Sequence, residues 1–145
     1  MEPITSLQND RVKLMHNLQT RTKTRQKERK IVLEGTRLVE DAISQGHKPL
    51  FAFYEVGKED AAGLAGVIEQ LNSTGSDVVP VNRAVMAHVS DTQTPQGLIA
   101  VFPVPRPRLP RNAHRVLILD GVREPGNMGT MLRTAAASGV QVVIL

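Results

Sequence analysis

One continuous run limits this chain more than anything else in it. Val116-Leu117-Ile118-Leu119 is an apolar stretch of strand length, and Asp120 to Asn127 follows as a turn rich in Gly and Pro. Met128, Met131, Leu132, Ala135 and Ala136 then recur at one-turn helical spacing. Gly139 marks the end of that helix, and Gln141-Val142-Val143-Ile144-Leu145 reads as another buried strand. Strand, turn and helix in this order build a site at the carboxyl end of a strand in open α/β folds. Pro125 and Gly126 force the turn, and Asn127 is placed to cap the helix by accepting from free N–H groups of its first turn. Gly121, Gly126 and Gly129 leave backbone near the helix N-terminus uncovered, an arrangement that suits anions. Arg133 lies off the apolar stripe, free either to stay solvated or to turn toward whatever sits above the turn. No G-x-G-x-x-G or G-x-x-x-x-G-K-[ST] pattern is present, which disfavours dinucleotide and triphosphate loops.

Upstream, short apolar runs and helical patterns alternate. Asn9 or Asp10 caps a helix carrying Val12, Leu14, Met15 and Leu18. Ile31–Leu33, Leu50–Tyr54, Asp77–Val81 and Leu98–Phe102 read as strands. Between them fall helices with Leu38, Val39, Ala42 and Ile43 on one face, then Asp60 to Leu71, then Val85, Met86 and Val89 behind an Asn82 cap. The alternation predicts an α/β fold, a small α/β/α sandwich with a largely parallel sheet, over residues 1–102. Residues 103–114 differ in character. Pro103, Pro105, Pro107 and Pro110 alternate with Arg106, Arg108 and Arg111, the composition of a stiff linker. A second domain begins at residue 115.

Charge decides what such a chain meets. Arg21, Lys23, Arg25, Lys27, Arg29 and Lys30 are opposed locally only by Glu28, and the whole chain carries a formal net charge of +4. The run forms either a solvated polar helix or arm, or a set of phosphate contacts that need no particular base. Aromatic residues make up 3% of the chain, too few for a surface of base-stacking rings. The absence of cysteine excludes disulfides, thiolate nucleophiles and cysteine metal sites. His16, His47, His88 and His114 lack metal-ligand spacing and read as surface or packing residues, so no metal is expected. No apolar run approaches the ~18–20 residues of a membrane span, and the N-terminus has no apolar signal core.

Taken together, Leu119-Asp120-Gly121-Val122, Pro125-Gly126-Asn127-Met128-Gly129 and Leu132-Arg133-Thr134-Ala135 resemble the first motif of the SpoU (TrmH-like) RNA 2′-O-ribose methyltransferases of the SPOUT superfamily. The family usually has Asp where this chain has Glu124. Asn9 with Val12-Lys13, Val32-Leu33-Glu34-Gly35-Thr36-Arg37 and Thr94-Pro95-Gln96-Gly97-Leu98-Ile99-Ala100 resemble the family's auxiliary substrate-binding domain, an α/β/α fold akin to certain ribosomal proteins. The resemblance implies that residues 1–102 bind an RNA substrate (ribosomal or transfer RNA), with Arg21, Lys23, Arg25, Lys27, Arg29, Lys30 and Arg37 as its RNA contacts. It implies that 115–145 begin an α/β knot domain in which Asn127 and Arg133 are catalytic. A ribose hydroxyl is a poor nucleophile, so the reaction needs alignment and stabilisation of the negative charge growing on its oxygen. Arg133 suits that task better than it suits proton abstraction, because a guanidinium keeps its proton. Asn127 orients the ribose or holds the turn. Glu34-Gly35 and Gln96-Gly97 read as turns first and RNA contacts second.

The family's later motifs form the trefoil knot that binds S-adenosylmethionine and much of a homodimer interface. They do not occur before Leu145. The expectation is therefore a partial enzyme with no cofactor-binding residues of its own, inactive alone, its residues after Arg115 loosely held or self-associating. The complete enzyme is expected to be cytoplasmic. Two rivals stand beside this reading: a non-catalytic basic RNA-binding module, and a small α/β enzyme that uses the Gly121–Gly129 turn for a nucleotide phosphate.

Overall fold

The computed structural model describes residues 2–59, 61, 63–106 and 109–145. They fall into two compact units, Met1–Val104 and Pro105–Leu145.

In the first unit the elements run α1 (Asp10–Thr20), α2 (Thr22–Glu28), β1 (Lys30–Glu34), α3 (Thr36–Ser44), β2 (Phe51–Glu55), α4 (Leu64–Ser73), β3 (Asp77–Val81), α5 (Arg83–Val89) and β4 (Leu98–Pro103). Local chemistry sets their starts. Asn9 Oδ1 accepts from Arg11 N at 2.9 Å and Asn82 Oδ1 from Val85 N at 2.9 Å, each cap stabilising its helix by about 1 kcal/mol. The first turn of α4 is at Leu64. The expected start at Asp60 lies outside the described residues.

The four strands form one sheet in the order β1-β4-β2-β3. Period-two alternation divides their side chains between two faces. Phe51, Phe53, Ile99 and Val101 pack with Val12, Met15 and Leu18 of α1 and Val85, Met86 and Val89 of α5. Ala52, Leu98, Ala100 and Phe102 pack with Val39 of α3 and Leu64, Val67 and Leu71 of α4. Both faces are covered, so the unit is the expected α/β/α sandwich. The rings of His16 and His88 stack at 4.2 Å between centroids, with His16 Nδ1 2.9 Å from the His88 carbonyl oxygen. These two are packing histidines.

The sheet is mixed, which corrects the largely parallel expectation. β2 and β3 are parallel, whereas β4 runs antiparallel to both β1 and β2. The loop from Ser90 to Gly97 is tied to the carboxyl ends of β1 and β2, where Glu34 accepts from Ser90, Asp91 and Thr92 and Glu55 N bonds Gly97 O. The chain therefore re-enters the sheet at that end, pairing Leu98 with Tyr54. A second correction concerns α3. Val39 is buried, but Leu38 is 53% exposed, because adjacent helical positions sit a quarter-turn apart.

The β3 edge of the sheet is partly covered. Beside β3 the segment at Ile4 makes a single bridge, donating from Ile4 N to Pro80 O and accepting from Asn82 N. Pro80, which has no N–H, is tolerated in this edge strand.

In the second unit β5 (Val116–Ile118) and β6 (Val142–Ile144) pair in parallel around α6 (Pro125–Ala137). The helix ends as expected at Gly139, whose φ of +71° lets Gly139 N bond Ala136 O while Val140 N bonds Ala135 O. Arg115 Nη1 donates to Ser138 O, and the Gln141 side chain accepts from His114 N and Arg115 N, tying the entry of β5 to the far end of α6. Val116, Ile118 and Ile144 remain 48%, 68% and 49% exposed, so two strands and one helix do not bury this sheet. Among the described residues no helix is long and apolar enough to cross a membrane.

Candidate nucleic-acid interface and catalytic turn

Helix α6 begins three residues earlier than an Asn127 cap requires. Its N-cap is Glu124, whose side chain makes no cap bond, and Pro125 is the first helical residue. Proline suits that position, because its missing N–H would have no intrahelical partner and its fixed φ is already helical. Asn127 therefore stands exposed within the first turn, and it does not cap the helix.

Arg133 is exposed and bends back along the helix, as side chains on α-helices do. Its Nη2 donates to Thr130 Oγ1 at 3.2 Å, and Thr130 Oγ1 donates to Gly126 O at 3.0 Å. The guanidinium also lies over Gly129, with Nη1 only 3.1 Å from where a Cβ on that residue would stand. Gly129 is thus covered by the arginine, not left open, whereas no heavy atom comes within 4 Å of the corresponding position at Gly121 or Gly126. A guanidinium has five N–H donors, so one bond to Thr130 leaves most of them directed outward near the Pro-Gly-Asn turn. Thr130 was not among the expected site residues. Its signal was the spacing, three residues before Arg133 and four after Gly126, which places all three on one helix face.

The basic run forms α2 together with the first residue of β1, and its members divide into two groups. Arg21, Lys23, Lys27 and Arg29 are exposed. Arg29 adopts a left-handed conformation (φ +50°) as α2 ends, and with Thr22, Arg25, Gln26, Ile31 and Val104 it lines a concavity of about 420 Å³. Arg25 is committed to the fold. Its Nη1 donates to Leu18 O at 2.8 Å and Gln19 O at 3.0 Å, and its Nη2 to Thr22 Oγ1 at 2.9 Å, closing the end of α1. Lys30 is half-buried and donates to Glu28 at 3.0 Å. That hydrogen bond, followed by the charges of Lys30 and Lys27, holds the Glu28 carboxyl below its ordinary range. Arg37 sits past the other end of β1, in the first turn of α3, so a strand length of roughly 13 Å separates it from the α2 group.

We expect Arg25→Ala to lower stability by roughly 1–2 kcal/mol, the cost of unbonded helix-end carbonyls. Lys27→Ala should leave stability within ~0.5 kcal/mol. Urea denaturation of the two variants distinguishes them, and equal midpoints would show that Arg25 has no such role.

At the carboxyl ends of β1 and β2 two glutamates organise the loop from Ser90 to Gly97. Glu34 Oε1 accepts from Ser90 Oγ and from Thr92 Oγ1, and its Oε2 accepts from Asp91 N at 3.0 Å. Gly35, buried and at φ +93° and ψ +151°, makes the turn into α3. A Cβ there would stand 2.6 Å from Gln96 Oε1. Gly35→Ala should therefore cost about 2–3 kcal/mol, from a backbone region open almost only to glycine plus displacement of Gln96. A melting temperature equal to that of the parent would contradict this.

The family profile described as the MRM3-like substrate binding domain matches residues 9–100. The chain is 34% identical over all its 145 residues to the 23S rRNA (guanosine(2553)-2′-O)-methyltransferase RlmP of Bacillus subtilis, covering 54% of that protein. It is 34% identical to the human mitochondrial rRNA methyltransferase 3, over 83% of this chain and 30% of that protein. Among solved structures, an AdoMet-bound rRNA methyltransferase from Sinorhizobium meliloti superposes with a TM-score of 0.75 at 30% identity, covering 98% of this chain and 53% of that one. The chain thus spans about half the length, or less, of the curated relatives it matches. With the mixed sandwich of its first unit, the strand–turn–helix of its second and this profile match, the chain belongs to the SpoU (TrmH-like) family of RNA 2′-O-ribose methyltransferases, residues 9–100 being its MRM3-like substrate-binding domain.

Proposed function

We propose that this chain holds ribosomal RNA for 2′-O-methylation of a ribose, with residues 1–102 as the RNA-binding domain and 115–145 as the start of the catalytic domain. The observation that carries the reading is the Arg133 guanidinium, fixed by Thr130 and laid over Gly129 beside the Pro-Gly-Asn turn. In that position it stabilises negative charge on the 2′-oxygen as the hydroxyl proton is lost, and Asn127 in the same first turn orients the ribose. Arg21, Lys23, Lys27 and Arg29 hold phosphates along one edge of the first unit, and Arg37 meets the RNA beyond the other end of β1.

S-adenosylmethionine supplies the methyl group in this reading, but the described residues do not fit it. The concave surface of the second unit, about 500 Å³, is lined by Leu117, Leu119, Met131, Ala135 and Val140 with three hydroxyl residues, and it carries no carboxylate for ribose hydroxyls and no ion-pair partner for a methionine end. In this reading the cofactor site is formed by other residues of the complete enzyme. We take that enzyme as a cytoplasmic homodimer, in which further surface covers exposed Val116, Ile118 and Ile144. One rival, an RNA-binding module without chemistry, rests on the same exposed cations of the first unit.

Ribose methylation mapping of rRNA from a strain lacking the gene separates the two. Methyl transfer predicts that one 2′-O-methyl ribose disappears, that the intact gene restores it and that an Arg133→Ala gene does not. An unchanged methylation pattern would leave the binding module.

A further inference from the structure

The Ser90–Gly97 loop is held at both ends by charge. Glu34 fixes Ser90, Asp91 and Thr92 as described above. At the other end Glu55, the one buried charged residue among those described, accepts an ion pair from Lys58 Nζ at 2.9 Å. Lys58 Nζ also donates to Pro95 O at 2.9 Å, and Glu55 N bonds Gly97 O at 2.9 Å. Gly97 makes room for this: a Cβ there would stand 3.0 Å from Lys58 Cδ.

Between the two anchors Gln93 and Thr94 stay exposed. With Glu55, Lys58, Arg83 and Pro95 they line a concave cavity of about 320 Å³ within the first unit. That volume is at the small end of ligand pockets, roughly 300–1,000 Å³. It suits one small polar molecule and is too narrow for a duplex. Its charge is right for an anion, since Lys58 and Arg83 face a single carboxylate that Lys58 already neutralises. No ion pair among the described residues uses Arg83. An ammonium has three donors, and Glu55 and Pro95 occupy two of those on Lys58. Gln93 and Thr94 each carry both a donor and an acceptor, which is what the edge of a nucleobase requires.

We propose that this cavity binds one unpaired ribonucleotide of the RNA, its phosphate on Arg83 and Lys58 and its base edge on Gln93 and Thr94. The proposal rests on the RNA-binding reading and adds a base-reading site to it. The α2 cations hold phosphates of any sequence, whereas this pocket takes a nucleotide that has left its helix. Glu34 and Glu55 act as positioning residues that keep the loop in its bound shape before RNA arrives.

The test is NMR titration of the chain with AMP, GMP, CMP and UMP separately, and with inorganic phosphate. At least one nucleotide should move the amide signals of Arg83, Gln93 and Thr94 at millimolar concentration, with unequal affinities among the four. Arg83→Ala should weaken that binding about tenfold through loss of a charge-assisted bond, Thr94→Val should flatten the base preference, and Gln70→Ala, at an exposed position on α4 away from the cavity, should change neither. Absence of shifts with all four nucleotides, an unaltered affinity in Arg83→Ala, or full reproduction of the effect by inorganic phosphate would overturn the proposal. Filter binding of an rRNA fragment, run alongside, separates the two readings. Salt-dependent rRNA binding without nucleotide shifts removes the pocket and keeps the RNA reading, while no rRNA binding at all removes both.

Discussion

Arg133→Ala, made in protein that carries this chain together with a complete cofactor site, should lower kcat for methyl transfer by about 10²–10³-fold, some 2.7–4 kcal/mol of lost charge stabilisation. KM for RNA should change little, because the guanidinium acts on charge that exists only as the reaction proceeds. Arg133→Lys should fall between the two, keeping the charge but losing the planar fork that reaches Thr130. Thr130→Val leaves the arginine in place but unanchored, and should cost less than the ~10²-fold that a misplacement of ~1 Å can produce. Single-turnover rates with saturating RNA provide the measurement. An Arg133→Ala rate within a factor of about three of the parent would remove charge stabilisation from the account.

Phe53→Ala should destabilise the first unit by about 3–5 kcal/mol. Phe53 lies fully buried on β2, an inner strand of the sheet, tilted against Phe51 at 5.3 Å between ring centroids and facing α1 and α5. A domain of this size has about 5–15 kcal/mol in total, so the variant should be close to unfolding near body temperature. Urea denaturation followed by circular dichroism reads the loss from the midpoint, and a shift worth less than about 1 kcal/mol would mean that the core closes over the gap.

The places where sequence reading succeeded and failed have physical causes. Strands Ile31–Leu33, Asp77–Val81 and Leu98–Phe102 were legible because they are short apolar runs bounded by turn residues, too short for a buried helix. Strand direction was not legible. Alternation of strand and helix is the same whether a connection crosses the whole sheet or turns back early, and the bonds that hold the Ser90–Gly97 loop at the carboxyl ends of β1 and β2 have no signature in the sequence. Asn127 was assigned as a cap by residue type, but Pro125 outranks it for the helix start. The basic run was visible as charge. The separation of Arg25, spent on the carbonyls of α1, from exposed Lys23 and Lys27 depends on which way each side chain folds back. The pocket around Glu55 was invisible, because its walls come from segments 55–58, 83 and 93–95 that only the sheet order brings together.

The edge carrying α2 is expected to hold RNA by its phosphates. Filter binding of an rRNA fragment from about 50 to about 200 mM salt tests it directly, on the parent chain and on a variant with Arg21, Lys23, Lys27 and Arg29 all changed to Ala. Each lost phosphate contact removes ~0.7–0.9 from the slope of log K against log salt. The parent should show a steep negative slope, and a folded variant a slope shallower by roughly 3. Equal slopes for the two proteins, or no measurable binding by the parent at low salt, would contradict it.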